Sequence, residues 1–224
     1  ITKMLAQAAC ESNDDRFASF ELKKAQWEEL HIASWLHDCG KVTTPEYVID
    51  KSTKLETIYD RIHEIRMRFG VIKREAELDY WRAIANGASE QEIKPALDQT
   101  LADLDDDFAF IAECNLGGEF MAPDKLTRLN QIASRTWTRT LDDRLGLSWE
   151  ELQRKSSTPT SVLPVEEPLI SDRSDHIFER EPSVYDDPDN PWGFKLDVPG
   201  NKFNKGELYN LSIGRGTLTE EERF

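Results

Sequence analysis

Along the first two thirds of the chain, apolar side chains return every three or four positions, the spacing that lines one face of a helix. Ile1, Met4, Leu5 and Ala8 mark a short helix over 1–10, which the turn-forming run ESNDDR closes. Over 18–38, Phe20, Trp27, Leu30, Ala33, Ser34 and His37 share a face, so His37 is expected on the inward stripe, with Gly40 as the stop. From Leu55 a narrower, heptad-like seam begins: Leu55, Ile58, Ile62, Ile65, Phe69, Ile72 and Ala76, ending at Asn86-Gly87. Ser89-Glu90-Gln91-Glu92 then reads as a capping box opening a helix with the stripe Ile93, Leu97, Leu101, Leu104, Phe108 and Ile111. Two such helices joined by a tight turn predict an antiparallel hairpin over about 55–115, with arms of roughly 30 residues and on the order of 40 Å.

Pro123-Asp124 opens a further helix carrying Leu126, Leu129, Ile132, Ala133 and Trp137, and Ser148-Trp149-Glu150-Glu151 caps a short one. From Ser156 to about Pro191 the chain is rich in Ser, Thr, Pro and Asp without a period of 2 or 3.6, and is expected to be a long, acidic, irregular loop. WGFKLDVPGNKF then alternates like a small β-hairpin turning at PGN. The expected fold class is mainly α.

At 224 residues the chain can bury a core large enough for a pre-organised site. Its 28 Lys and Arg stand against 43 Asp and Glu, a net charge of −15, which argues against a duplex nucleic-acid surface. Three widely spaced cysteines, Cys10, Cys39 and Cys114, fit reduced thiols and a cytoplasmic setting better than a disulfide frame. Cys39 is expected to pack as a small apolar residue. Nowhere is there an apolar run of about 18 residues, so no membrane segment is expected in these residues, which leaves an anchor elsewhere in a longer polypeptide open. The start at Ile1 and the end on TLTEEERF suggest such a longer polypeptide.

The chemistry concentrates in WLHDCGKVTTPEYV, residues 35–48. At a helix end, neighbouring imidazole and carboxylate groups can converge on one dication, which the negative end of the helix dipole favours. His37 and Asp38 are therefore candidate ligands for a divalent ion, iron or manganese by donor type, with a metal-activated water as nucleophile. Gly40 would let the backbone turn and bring Lys41 toward a bound anion. Taken alone, a His-Asp pair at a helix end is more often a cap beside a satisfied core histidine.

His37-Asp38-Cys39-Gly40-Lys41, with Pro45 four residues on and Lys51-Ser52-Thr53-Lys54-Leu55 beyond, resembles the HDxGKxxxP and KxxKL pattern of the HD superfamily of metal-dependent phosphohydrolases, and most closely its HD-GYP branch. The resemblance implies an all-helical core, two or three metal ions held by His and Asp, and hydrolysis of a cyclic dinucleotide, chiefly cyclic di-GMP. It implies His37 and Asp38 as metal ligands, Lys41 as a catalytic contact to the substrate phosphate, and Gly40 and Pro45 as shapers of the loop. The stretch GRGTLTEEER near the C-terminus resembles the family's turn after the motif, so this turn occurs twice. The expected organisation is an HD-like core over 1–55, an inserted helical region over 56–155, the irregular loop over 156–205, and a truncated resumption of the core over 206–224. The family's remaining ligands are then expected outside residues 1–224, and this stretch alone is expected to be inactive.

Of the other histidines, His31 sits six positions before His37 on the same helix, about 240° around the axis, a poor stand-in for a ligand from another helix. His63 is read as a solvated or semi-buried helix histidine, and His176 and the run Asp103, Asp105, Asp106 and Asp107 as solvated. The competing functional class is a catalytically degenerate HD-like module that uses the hairpin to bind another protein or a second copy of itself.

Overall fold

The computed structural model describes residues 1–118, 120–156, 158–182, 189, 191, 193 and 197–224. Helices dominate, and the strands among the described residues form two two-stranded antiparallel ribbons. The chain divides into two units, 1–50 and 51–224.

In the first unit, α1 (Thr2–Cys10) packs on α2 (Lys24–Leu36), and a one-turn α3 (Glu46–Ile49) follows. Trp27, Leu30 and Ser34 are the half-buried positions of α2, as their spacing predicts. Neither α1 nor α2 buries any residue fully, however, and α2 starts six residues later than expected. Phe20 lies outside it, and His37 is its exposed C-cap and not part of an inward stripe.

The second unit has a true core. α4 (Ile62–Ala85) and α5 (Glu90–Leu116) lie side by side with opposite sense, since Phe69 meets Phe108 edge-on and Lys73 meets Asp105. Gly87 makes the turn between them at φ 92°, a left-handed conformation that a side chain would strain. α4 begins at Ile62 and not at Leu55. Residues 55–61 form an irregular bend in which Leu55 is fully buried but Ile58 is 97% exposed. Asn115 builds that bend: its Oδ1 accepts the Leu55 N–H at 2.9 Å, its Nδ2 donates to Asp60 at 2.9 Å, and its carbonyl takes the Lys54 N–H at 2.9 Å. A local bond from Ile62 N–H to Asp60 and long-range bonds from Asn115 thus override the apolar period.

α6 (Pro123–Ala133) places Leu129, Ile132 and Ala133 against Ile65, Phe69, Leu104 and Ile111 in one apolar cluster. Trp137, expected on this helix, lies instead on β1 (Thr136–Arg139), which pairs with β2 (Val165–Pro168) in the register Trp137 opposite Glu167. After α7 (Trp149–Lys155), the stretch expected to be a featureless loop holds β2, β3 (Ile177–Glu179) and the fully buried Leu169 and Ile170. Two adjacent apolar residues among polar ones have no period, which is why the pattern missed them. β4 (Asn201–Asn204) pairs with β3, Phe178 opposite Phe203. The other half of the expected hairpin, at 192 and 194–196, lies outside the described residues.

α8 (Glu207–Leu211) closes the core with Leu211 and brings Glu207 onto Arg68 through two bonds of 2.7 and 2.9 Å. α9 (Glu220–Arg223) is capped by Thr219, whose side chain accepts from Glu222 N–H. At the end of α5, Gly117 (φ 73°) faces the Gly216 carbonyl so closely that a Cβ would come within 3.0 Å of it. That close approach ties the end of α5 to the turn that precedes α9.

Candidate functional site

The α2 helix runs out at His37, whose N–H still reaches the Ala33 carbonyl at 2.9 Å. A 3₁₀ turn (Cys39–Val42) then tightens the chain, and Lys41 N–H bonds the Asp38 carbonyl at 3.0 Å. This tight turn, and not a left-handed glycine, folds Lys41 back: the φ of Gly40 is outside the left-handed region, and a Cβ there would meet nothing within 4 Å. The Gly40 carbonyl accepts from the hydroxyls of Thr43 (2.8 Å) and Thr44 (3.1 Å), which locks the turn. Pro45 is the N-cap of α3, with its carbonyl bonded to Val48 N–H at 2.9 Å, so it redirects the chain directly after the turn.

The result is a small charged corner. His37 Nε2 lies 3.2 Å from Asp38 Oδ2, and Lys41 Nζ lies 2.8 Å from Asp38 Oδ1. His37 Nδ1 is 2.7 Å from the Ser34 carbonyl. A carbonyl only accepts, so Nδ1 carries the proton, and in the neutral ring the Nε2 lone pair faces the carboxylate. Two lone-pair donors at 3.2 Å need something positive between them, either a second ring proton or a cation. A backbone carbonyl fixing Nδ1–H while Nε2 points outward is also the way ligating histidines are commonly oriented. The Lys41 hydrogen bond, with the charges of His37 and Lys41 beside it, holds the Asp38 carboxyl below its usual range despite some desolvation. The corner is open to solvent: the His37 and Asp38 side chains are 68% and 51% exposed.

No family model, curated protein or solved structure matches this chain.

The donor set fits one edge of a divalent ion's shell. His37 and Asp38 supply two ligands of suitable type, while no cluster of three or more His, Cys, Asp or Glu able to hold a metal exists among the described residues. Cys39 is exposed and does not pack as an apolar residue. His31 makes an edge contact with Trp35 at 6.4 Å, and His63 pairs with Arg66 on the α4 surface. The Asp run on α5 is an ion-paired face: Asp105 meets Lys73, Asp106 meets Arg128, and Asp107 meets Arg128 and Arg135. His176 departs from the solvated reading, because it is half-buried and its Nδ1 is buried without a hydrogen-bond partner.

The lysines after the motif are bonded within the second unit. Lys51 pairs with Glu222 at 2.8 Å, and Lys54, nearly fully buried, donates to the carbonyls of Leu211 (2.9 Å) and Ile213 (2.8 Å). Thr217 Oγ1 donates to the Lys51 carbonyl at 3.2 Å. The two look-alike turns, some 160 residues apart in sequence, are therefore bonded neighbours within the second unit. One participant that the pattern did not single out is the Ser34 carbonyl: position i−3 to a helix-ending histidine is the available signal for it.

Proposed function

We propose that residues 35–48 carry the metal-binding corner of a metal-dependent phosphohydrolase of the HD-GYP type, acting on the phosphodiester of a cyclic dinucleotide. The observation that carries this reading is the 3.2 Å convergence of His37 Nε2 and Asp38 Oδ2, with Nδ1 already committed to Ser34. His37 and Asp38 would hold a divalent ion, iron or manganese, which when bound supplies an activated water as nucleophile. Lys41 keeps Asp38 ionised and retains two further N–H donors, which a phosphate oxygen of the substrate would accept. The contact between the 51–55 and 211–222 segments supports reading 56–205 as an insertion, because an inserted region must leave and re-enter its host at neighbouring points.

The test is made on the protein in its natural sequence context, by elemental analysis and by hydrolysis of cyclic di-GMP with iron or manganese. His37→Ala and Asp38→Ala should each remove bound metal and turnover together. Lys41→Ala should keep the metal and lower kcat by roughly 10²- to 10³-fold, the usual loss when one donor to a transition-state oxyanion is removed. A wild-type protein with neither metal nor hydrolysis overturns the reading.

A further inference from the structure

α4 has two apolar stripes on opposite sides. Ile62, Ile65, Phe69, Ile72 and Ala76 point toward α5 and the core. Met67, Val71, Leu78, Trp81 and Ala85, about 180° away around the axis at steps of four, three and seven, form a second stripe about 27 Å long. Met67, Leu78 and Trp81 are 69%, 48% and 62% exposed. Gly70 borders the same stripe in mid-helix, where it weakens α4, and nothing in the chain lies within 4 Å of a Cβ built there. Ala85 is exposed as well and Val71 is half-buried, so the fold leaves a largely exposed heptad seam with a gap in it that another helix backbone could approach.

The flanking charges identify the occupant. With Val71, Leu78 and Ala85 at a positions and Met67, Arg74 and Trp81 at d, Glu77 is a g residue and Glu75 and Arg82 are e residues. A second copy aligned in parallel sets Glu77 of each chain beside Arg82 of the other, an attractive pair made twice by symmetry. Antiparallel alignment of the same seam sets Glu77 against Glu77 and Glu75 against Glu75, both repulsive. Arg74 stands in the seam and opposes its own copy in the parallel arrangement. It is ion-paired with Glu77 within the chain, and a charge in a core position weakens a coiled coil while fixing its register. We infer that the exposed face of α4 is a self-association surface, on which two copies of this chain pair in parallel along Met67–Ala85.

Sedimentation of the purified chain should show a monomer–dimer equilibrium. Arg74→Leu should tighten it at least about tenfold, since a buried like-charge pair is removed. Trp81→Glu should abolish it with the circular dichroism of the monomer unchanged. Arg82→Glu should weaken it, and adding Glu77→Lys to Arg82→Glu should restore it, because the pair is only exchanged in sign. With Cys10 and Cys39 changed to Ser, Ala85→Cys should oxidise to a symmetric cross-linked dimer, which only a parallel arrangement allows. Monomer at about 100 μM for both wild type and Arg74→Leu overturns the inference, as does a failure of the double charge exchange to restore what Arg82→Glu loses.

Discussion

Burial beside Arg61 holds the His176 imidazole below its ordinary pKa, in spite of the opposing charges of Glu207 and Asp175. With Nδ1 enclosed and unpaired, the ring has no ready acceptor for a second proton. The folded state therefore resists a proton that the unfolded chain takes up near pH 6.5. Stability is complete above that pH and falls as pH drops from about 6.5 toward the lower folded value, at up to about 1.4 kcal/mol per pH unit. Urea midpoints between pH 8 and pH 5 should follow this slope, and His176→Gln should flatten it; an equal slope in both proteins would refute the assignment. The sequence placed His176 among aspartates and so suggested solvent, because nothing local reveals that Arg61 and Glu207, both far away in the chain, pack around it. His37 shows the reverse error. Its helical spacing suggested burial, yet its approach to Asp38 was readable, since adjacency at a helix end brings the two donors together by local geometry alone.

Two helices begin with the same S-x-x-E signature and use it differently. At Ser148 the hydroxyl accepts from Glu151 N–H at 3.3 Å while Glu151 returns to Ser148 N–H, so the reciprocal cap is made. At Ser89 the helix starts where expected, but the side chain makes no capping bond. Ser148→Ala should then cost about 1 kcal/mol in a thermal or urea melt, and Ser89→Ala a few tenths at most. Equal losses at the two sites would show that both boxes form in solution. Element starts were legible wherever a cap, a proline or a glycine announced them, as at Pro123 and Gly87. The boundary at Leu55 was not, because the bond that unwinds residues 55–61 comes from Asn115, 60 positions later. Trp137 was misplaced for a related reason: its spacing continues α6, while pairing with Glu167 on a distant strand decides its conformation.

At the scale of the whole chain, the mainly helical class followed from period alone, and the partition of burial did not. The second unit gathers residues from Leu55 to Leu211 into one apolar cluster, including Leu169 and Ile170 from a stretch with no readable pattern. The first unit, although as apolar by composition in α2, leaves Ile32, Trp35 and Leu36 exposed and buries nothing fully in α1 or α2. Since helical stability in proteins comes mostly from a packed apolar face, α1 and α2 should open with little cost while α4, α5 and α6 open only with the core. Native-state hydrogen exchange on residues 1–224 should give opening free energies of about 0–2 kcal/mol for amides of α2. Amides near Ile65, Ile111 and Leu129 should instead approach the global stability of their unit, of order 5–15 kcal/mol. Comparable protection in α2 and α5 would mean that the first unit holds a packing interaction its side-chain exposure does not account for. If the contrast is found, the charged corner at His37 sits at the end of one of the two least protected helices, and binding of a divalent ion there would raise the α2 opening free energy by RT ln(1 + [ion]/Kd). That increment, measured with manganese and absent in Asp38→Ala, reports the corner's metal affinity without any assay of turnover.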